Sequence, residues 1–159
     1  TTRDYEKSLE ALSKSEITFV PHLLVGIHYG NLLGEPNALK MIARFRPAAL
    51  ILIAFFPIRG TPMENFEPPS PEEITEVLIQ ARFLMPNVPL VLGCARPKGR
   101  HRSKTDSMAV EAGVNAIAFP DEEAVRKAES MGLETSFSPL CCSQIYEDII
   151  QPRETRPDR

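Results

Sequence analysis

Residues 48–56 read AALILIAFF, nine apolar residues with no charge, glycine or proline among them. A strand covered on one face alternates apolar and polar residues. An unbroken run of this length is what a strand covered on both faces requires, and such strands belong to parallel sheets flanked by helices. The surroundings of the run agree. Upstream, Leu39, Ile42 and Phe45 fall at helical spacing over 35–45, and 17–26 (ITFVPHLLVG) is a second β-branched, apolar strand in which Pro21 withholds one ladder donor. Tyr5, Leu9 and Leu12 line one face of a helix before it. Downstream, Ser70-Pro71-Glu72-Glu73 supplies an N-cap, a proline at the first helical position and acids in the first turn. The helix it opens extends to about Met85 and buries Ile74, Val77, Leu78, Ala81 and Leu84. Further strands are expected over 89–93, 114–119 and 133–138, with helices over 103–112 and 121–131 between them.

Strand–helix alternation with fully apolar strands predicts an α/β fold with a parallel sheet of about five βα units, occupying residues 1–150 as one domain. The charged stretch 151–159 has nothing to bury and is expected to be a disordered tail. Five units suit two architectures: the C-terminal half of a TIM-type barrel, or a flavodoxin-like open sheet. With 159 residues the chain falls well short of the roughly 250 of a complete barrel.

Composition excludes several classes of partner. Eighteen basic against 21 acidic side chains leave a net charge of −3, with no overall attraction for nucleic acid. No apolar run approaches the roughly 20 residues needed to span a membrane. Three cysteines, two of them adjacent, do not make the disulfide framework of a secreted domain, so a cytoplasmic, reducing setting is expected.

In either architecture, ligands gather at the carboxyl ends of the strands. The loops there (26–34, 57–62, 94–102, 120–121 and 139–143) hold all three cysteines together with His28, Tyr29, Arg59, Arg96 and His101. Cys94, Cys141 and Cys142 are therefore expected on one rim, although about 47 positions separate the first from the pair. Three converging thiols suit soft-metal chemistry, since thiolates select iron–sulfur clusters, zinc or copper. The alternative is that each is a small buried hydrophobe, although adjacent cysteines on a strand cannot both face one core. Five positive charges in the nine residues 96–104 end at a helix start and suit an anionic small-molecule substrate, with Arg96 and Arg100 as candidate contacts; a solvated surface loop is the competing reading. Arg96, Arg100 and Arg102 would also favour thiolates nearby. No nucleophile–base–acid trio, phosphate-binding glycine loop or paired carboxylate motif is present, so no catalytic residue is assigned.

The strand and loop VGIHYGNLLGE (25–35) resemble the fifth-strand Gly-x-Ile-x-Gly…Glu segment of radical S-adenosylmethionine enzymes of the biotin synthase group. LIAFFPIRGTPM (52–63) resembles their next strand and its Gly-Thr-Pro loop, 70–90 their following helix, and LGCARPKG (92–99) the strand after it. The likeness covers roughly residues 1–145 and is similar to archaeal-type biotin synthase homologues, some of them lipoyl synthase components. It implies the C-terminal part of a radical enzyme performing sulfur insertion or related chemistry; the residues by themselves leave open a self-contained α/β module that binds an anionic ligand or metal. By the resemblance, S-adenosyl-L-methionine would lie along Leu24, Gly26, His28, Ile53 and Pro57, with Arg59, a candidate substrate contact, on the loop beside it. The family's [4Fe–4S] cluster is held by Cys-x-x-x-Cys-x-x-Cys, which this chain lacks, so an N-terminal half would supply it. Arg96 is nearest to the family's [2Fe–2S]-ligating arginine, but no cysteine occupies 20–22 where the fifth-strand ligand would be. By the resemblance, Cys94, Cys141 and Cys142 look like ligands of a different auxiliary cluster. A half barrel also leaves open edges, at 17–25 and 133–138, which imply pairing with that missing half or self-association.

Overall fold

The computed structural model describes residues 1–150; the charged stretch 151–159 lies outside the described residues. The run at 48–56 becomes β2 (Leu50–Ala54), flanked in chain order by β1 (His22–Val25), β3 (Leu90–Leu92) and β4 (Ala116–Ile117). The four strands are parallel and lie in the order β1-β2-β3-β4. Helix α1 (Thr2–Ser13) precedes the sheet; α2 (Glu35–Ala43), α3 (Pro71–Leu84) and α4 (Arg100–Glu111) connect the strands; α5 (Glu122–Ser130) and α6 (Tyr146–Ile150) follow. Consecutive strands are neighbours with no reversal of order, and crossovers of one hand place the connecting helices on the same face.

That face is the core. Leu23, Val25, Leu50, Leu52, Ala54, Leu90 and Leu92 pack against Leu9 of α1, Leu39 and Ile42 of α2, and Ile74, Val77, Leu78 and Ala81 of α3. The register pairs Leu24 with Ile53 and Ile51 with Val91, so the alternate residues point to the opposite face. There Ile51 and Val91 are also fully buried, with Cys142 and Ile145 of the C-terminal segment lying over them. This double cover is why β2 reads as an unbroken apolar run. Gly93 belongs to the same face: a Cβ there would lie 2.6 Å from a methyl of Ile53 and 2.8 Å from one of Ile51, so glycine lets both isoleucines lean across it.

Helix starts follow their sequence signals. Ser70 accepts from the Glu73 N–H at 3.2 Å while the Glu73 carboxylate accepts from the Ser70 N–H at 2.8 Å, a reciprocal cap with Pro71 at the first helical position. Asp121 caps α5 through the Glu123 N–H. The first strand is shorter than its apolar run because Pro21 cannot donate, although its carbonyl accepts from the Ile51 N–H at 3.1 Å.

One expected strand is absent among the described residues. Residues 133–138 form no ladder, and Leu133 and Phe137 are exposed. The neighbour such a strand would pair with, β4, is only two residues long. Phe119 then turns the chain away at φ 49°, and the Leu133 N–H is bonded to the Ala128 carbonyl at the end of α5. The sheet therefore has four strands, and its edges are β1 and β4. This difference is testable. Phe137→Ser should change unfolding free energy by no more than about 0.5 kcal/mol, whereas Ile51→Ala should cost about 2–5 kcal/mol, both read from urea unfolding monitored by circular dichroism.

Candidate functional site

The carboxyl ends of the strands carry three loops that hold one another closely. The loop after β1 is organised by Glu35, whose carboxylate is 3% exposed and accepts from the N–H groups of Gly26 (2.8 Å), Leu33 (2.8 Å) and Gly34 (3.0 Å). A carboxylate at the first turn of α2 thus satisfies backbone donors that the loop cannot pair internally. Gly30, at φ 85°, lies so near the next loop that a Cβ would sit 1.9 Å from the Glu67 carbonyl oxygen. The Tyr29 and Phe66 rings meet at 4.9 Å across the same seam. His101 of α4 joins the third loop to it, its Nε2 lying 2.9 Å from the Pro69 carbonyl oxygen.

On this rim the residues expected to meet S-adenosyl-L-methionine fall into two groups. Leu24 and Ile53 are direct partners in the register, partly buried on the face opposite the helices, with Gly26 just beyond Leu24. Pro57 follows β2 at the rim and is exposed. His28 points away into its own turn, where it bridges to Asn31 and packs edge-on against Tyr29 at 5.3 Å. Arg59 is exposed beside a turn in which Thr61 Oγ1 donates to the Ile58 carbonyl at 2.7 Å and the Gly60 N–H donates to Glu64 at 2.7 Å.

The basic run divides as well. Arg100 is exposed in the first turn of α4. Arg96 takes a different position from the substrate contact expected of it: it is 1% exposed, with Nε and Nη2 each donating to Asp106 at 2.7 Å. Its Nη1 donates to the Gly93 carbonyl at 2.6 Å and Nη2 also to the Phe119 carbonyl at 3.3 Å. Asp106 further accepts from the Asp121 N–H at 3.0 Å. The pair spans the end of β3, α4 and the turn into α5. Its guanidinium is therefore committed inside the fold. The sequence singles out Glu35 only as the end of the 25–35 segment and does not mark Asp106; for Asp106 a carboxylate falling among apolar helix positions is the available signal, and it is weak.

The thiols do converge, but not as a ligand set. Cys141 and Cys142 place their sulfurs 3.9 Å apart, and the Cys142 thiol lies against the backbone N–H of Cys94. Cys142 is buried on the sheet, whereas Cys94 and Cys141 are exposed. Among the described residues no group of three or more His, Cys, Asp or Glu side chains is arranged to hold a metal ion. The donors present thus do not fit an auxiliary cluster. The arginines are not what tunes these thiols. Hydrogen bonds from the Ser143 N–H and hydroxyl hold Cys141 below the ordinary thiol range, and burial pushes Cys142 above it.

Residues 42–140 match the Biotin and Thiamin Synthesis associated domain (BATS). The chain is 26% identical over 131 residues to the biotin synthase of Ruthia magnifica subsp. Calyptogena magnifica, an alignment covering 77% of this chain and 38% of that protein. The biotin synthase of Vesicomyosocius okutanii subsp. Calyptogena okutanii matches to the same extent, and that of a Synechococcus species is 25% identical over 126 residues, covering 76% of this chain and 37% of its own length. The chain thus spans less than two-fifths of the length of these relatives.

Three variants test the rim, with a fourth at Gly113 as the control. Arg96→Met leaves Asp106 buried without its partner and should cost about 3–5 kcal/mol, while the double variant Arg96→Met/Asp106→Leu should recover part of that loss. A single-variant cost below about 1 kcal/mol, the range of exposed pairs, would contradict the role given to the pair. Gly30→Ala should destabilise by more than the roughly 1 kcal/mol of positive-φ strain alone, because its methyl has backbone in its way. At Gly113, φ 78° with open space around it, the same change should cost the strain only. Urea midpoints compare all four.

Proposed function

The chain belongs to the Biotin and Thiamin Synthesis associated domain family, and from that premise we propose that it is the C-terminal part of a radical S-adenosylmethionine enzyme of the biotin synthase type. The observation that carries this reading is the pairing of Leu24 with Ile53 at the carboxyl ends of adjacent parallel strands, on the face away from the helices. In a closed barrel that face is the interior, and the carboxyl rim is where chemistry is done. Sequential strand order and helices on one face support a barrel section over a doubly wound sheet, whose order reverses at its ligand site.

The residues present fit the cofactor's apolar part. Leu24 and Ile53 offer an aliphatic surface, and Gly26, buried and without a side chain, lets a ligand approach the backbone beside it. When bound together with a [4Fe–4S] cluster held elsewhere in the protein, S-adenosyl-L-methionine supplies the radical. This chain's own contribution is to bind and orient: Leu24 and Ile53 position the ring system and exclude water, and the Arg59 turn beside them offers a cation to an anionic group. Glu35 keeps the first of these loops in shape without touching ligand. Cys-x-x-x-Cys-x-x-Cys is absent from the sequence, so the polypeptide carrying that motif is the partner proposed for the edge of β1, with self-association the outcome when it is lacking.

Equilibrium dialysis against S-adenosylmethionine tests the reading, using this chain joined to, or mixed with, the motif-bearing polypeptide. The complex should bind the cofactor, the chain alone should bind it weakly or not at all, and Ile53→Ala should weaken the complex's affinity about tenfold, equivalent to about 1.4 kcal/mol. Unchanged affinity in a folded Ile53→Ala complex would overturn the placement of the cofactor.

A further inference from the structure

The C-terminal segment carries two thiols for which the reading above has no use. Cys141 and Cys142 open a tight turn, in which the Gln144 and Ile145 N–H groups both donate to the Cys141 carbonyl, at 2.8 and 3.0 Å. The turn separates the two side chains. Cys142 enters the sheet face against Ile51 and Val91, while Cys141 stays in solvent with the Ser143 hydroxyl donating to its sulfur at 3.7 Å. Even so, the two sulfurs are only 3.9 Å apart. An accessible thiol with a donor on its sulfur and a second thiol within reach is the arrangement a reversible thiol–disulfide couple needs.

We propose that Cys141 and Cys142 are a reactive dithiol, with Cys141 the nucleophile toward small-molecule disulfides and Cys142 the thiol that resolves the product. The Cys141 thiolate attacks one sulfur of RS–SR; the S–S bond breaks, RS⁻ leaves and takes a proton from water, and a mixed disulfide stands on Cys141. Cys142 then gives up its proton to solvent and its sulfur attacks that of Cys141, expelling the second RS⁻, which is protonated in turn. Two cysteine thiols are oxidised and one small disulfide is reduced to two thiols. The second step is intramolecular, so the burial of Cys142 does not prevent it; the sulfurs close from 3.9 Å to about 2.0 Å. Because adjacent Cα atoms stand about 3.8 Å apart, short of the roughly 4.4 Å at which disulfides begin, the peptide between them must distort, which leaves the bond easily reduced. The burial also explains the order of events, since the small disulfide reaches Cys141 first. Cys94 is exposed as well but stands outside the turn that joins Cys141 to Cys142, and takes no part in the exchange.

The test uses the full, reduced chain and oxidised glutathione, with samples quenched in acid and mapped by mass spectrometry. In the wild type, glutathione should appear on Cys141 and give way to a disulfide joining Cys141 and Cys142, with Cys94 still open to alkylation. Cys142→Ser should stop at one glutathione on Cys141, and Cys141→Ser should consume glutathione disulfide at least about tenfold more slowly. Glutathione arriving first on Cys94, or an internal disulfide that includes Cys94, would overturn the assignment. Because the wild-type time course reads the order of events directly, it decides the matter even where Cys142→Ser fails to fold.

Discussion

The buried pair of Arg96 and Asp106 fixes the half of the rim that follows β3. Removing two charges from water is costly, and their attraction offsets that cost only when their remaining donors and acceptors are also satisfied. Here they are: the guanidinium reaches two carboxylate oxygens and the carbonyls of Gly93 and Phe119, and Asp106 takes the Asp121 N–H as well. Three elements that share no ladder beyond two-residue β4 are thereby held in one arrangement. Glu35 performs the corresponding service for the loop after β1, with three backbone donors on one carboxylate. Both devices answer the same constraint: loops at strand ends carry backbone groups that no sheet satisfies, and a buried charge can collect several of them.

Much of the fold was legible because its signals are local or periodic. The nine apolar residues at 48–56 required cover on both faces, and the structure supplies helices on one and the Cys142–Ile145 turn on the other. The cap at Ser70 and the acids that open α5 marked helix starts correctly. What failed depended on partners that a sequence does not show. Residues 133–138 have a strand's alternation, but β4 is too short to pair with them. Arg96 sits in a run of mostly exposed cations and shares their residue type; only the fold reveals that Asp106, ten positions on, turns it inward.

The thiols show the same limit in another form. Strand direction placed Cys94 at the carboxyl end of β3, but the expected position of the 141–142 pair rested on a strand at 133–138 that does not form; the pair comes near Cys94 because the C-terminal turn folds back over the sheet face. Whether converging thiols ligate a metal depends on where each side chain points. One points into the sheet and two into solvent, so convergence of positions did not become convergence of ligands. The C-terminal turn instead closes the face that Ile51 and Val91 would otherwise leave bare.

The relation to biotin synthases and the one-sided, sequential sheet together make this chain's carboxyl rim the surface to interrogate. Hydrogen–deuterium exchange on the proposed complex with the motif-bearing polypeptide, with and without S-adenosylmethionine, does so most directly. Added protection is expected over residues 24–28 and 53–57 and none at the opposite ends of the strands, over 86–89. Protection confined to 86–89, or none anywhere in the chain, would contradict it.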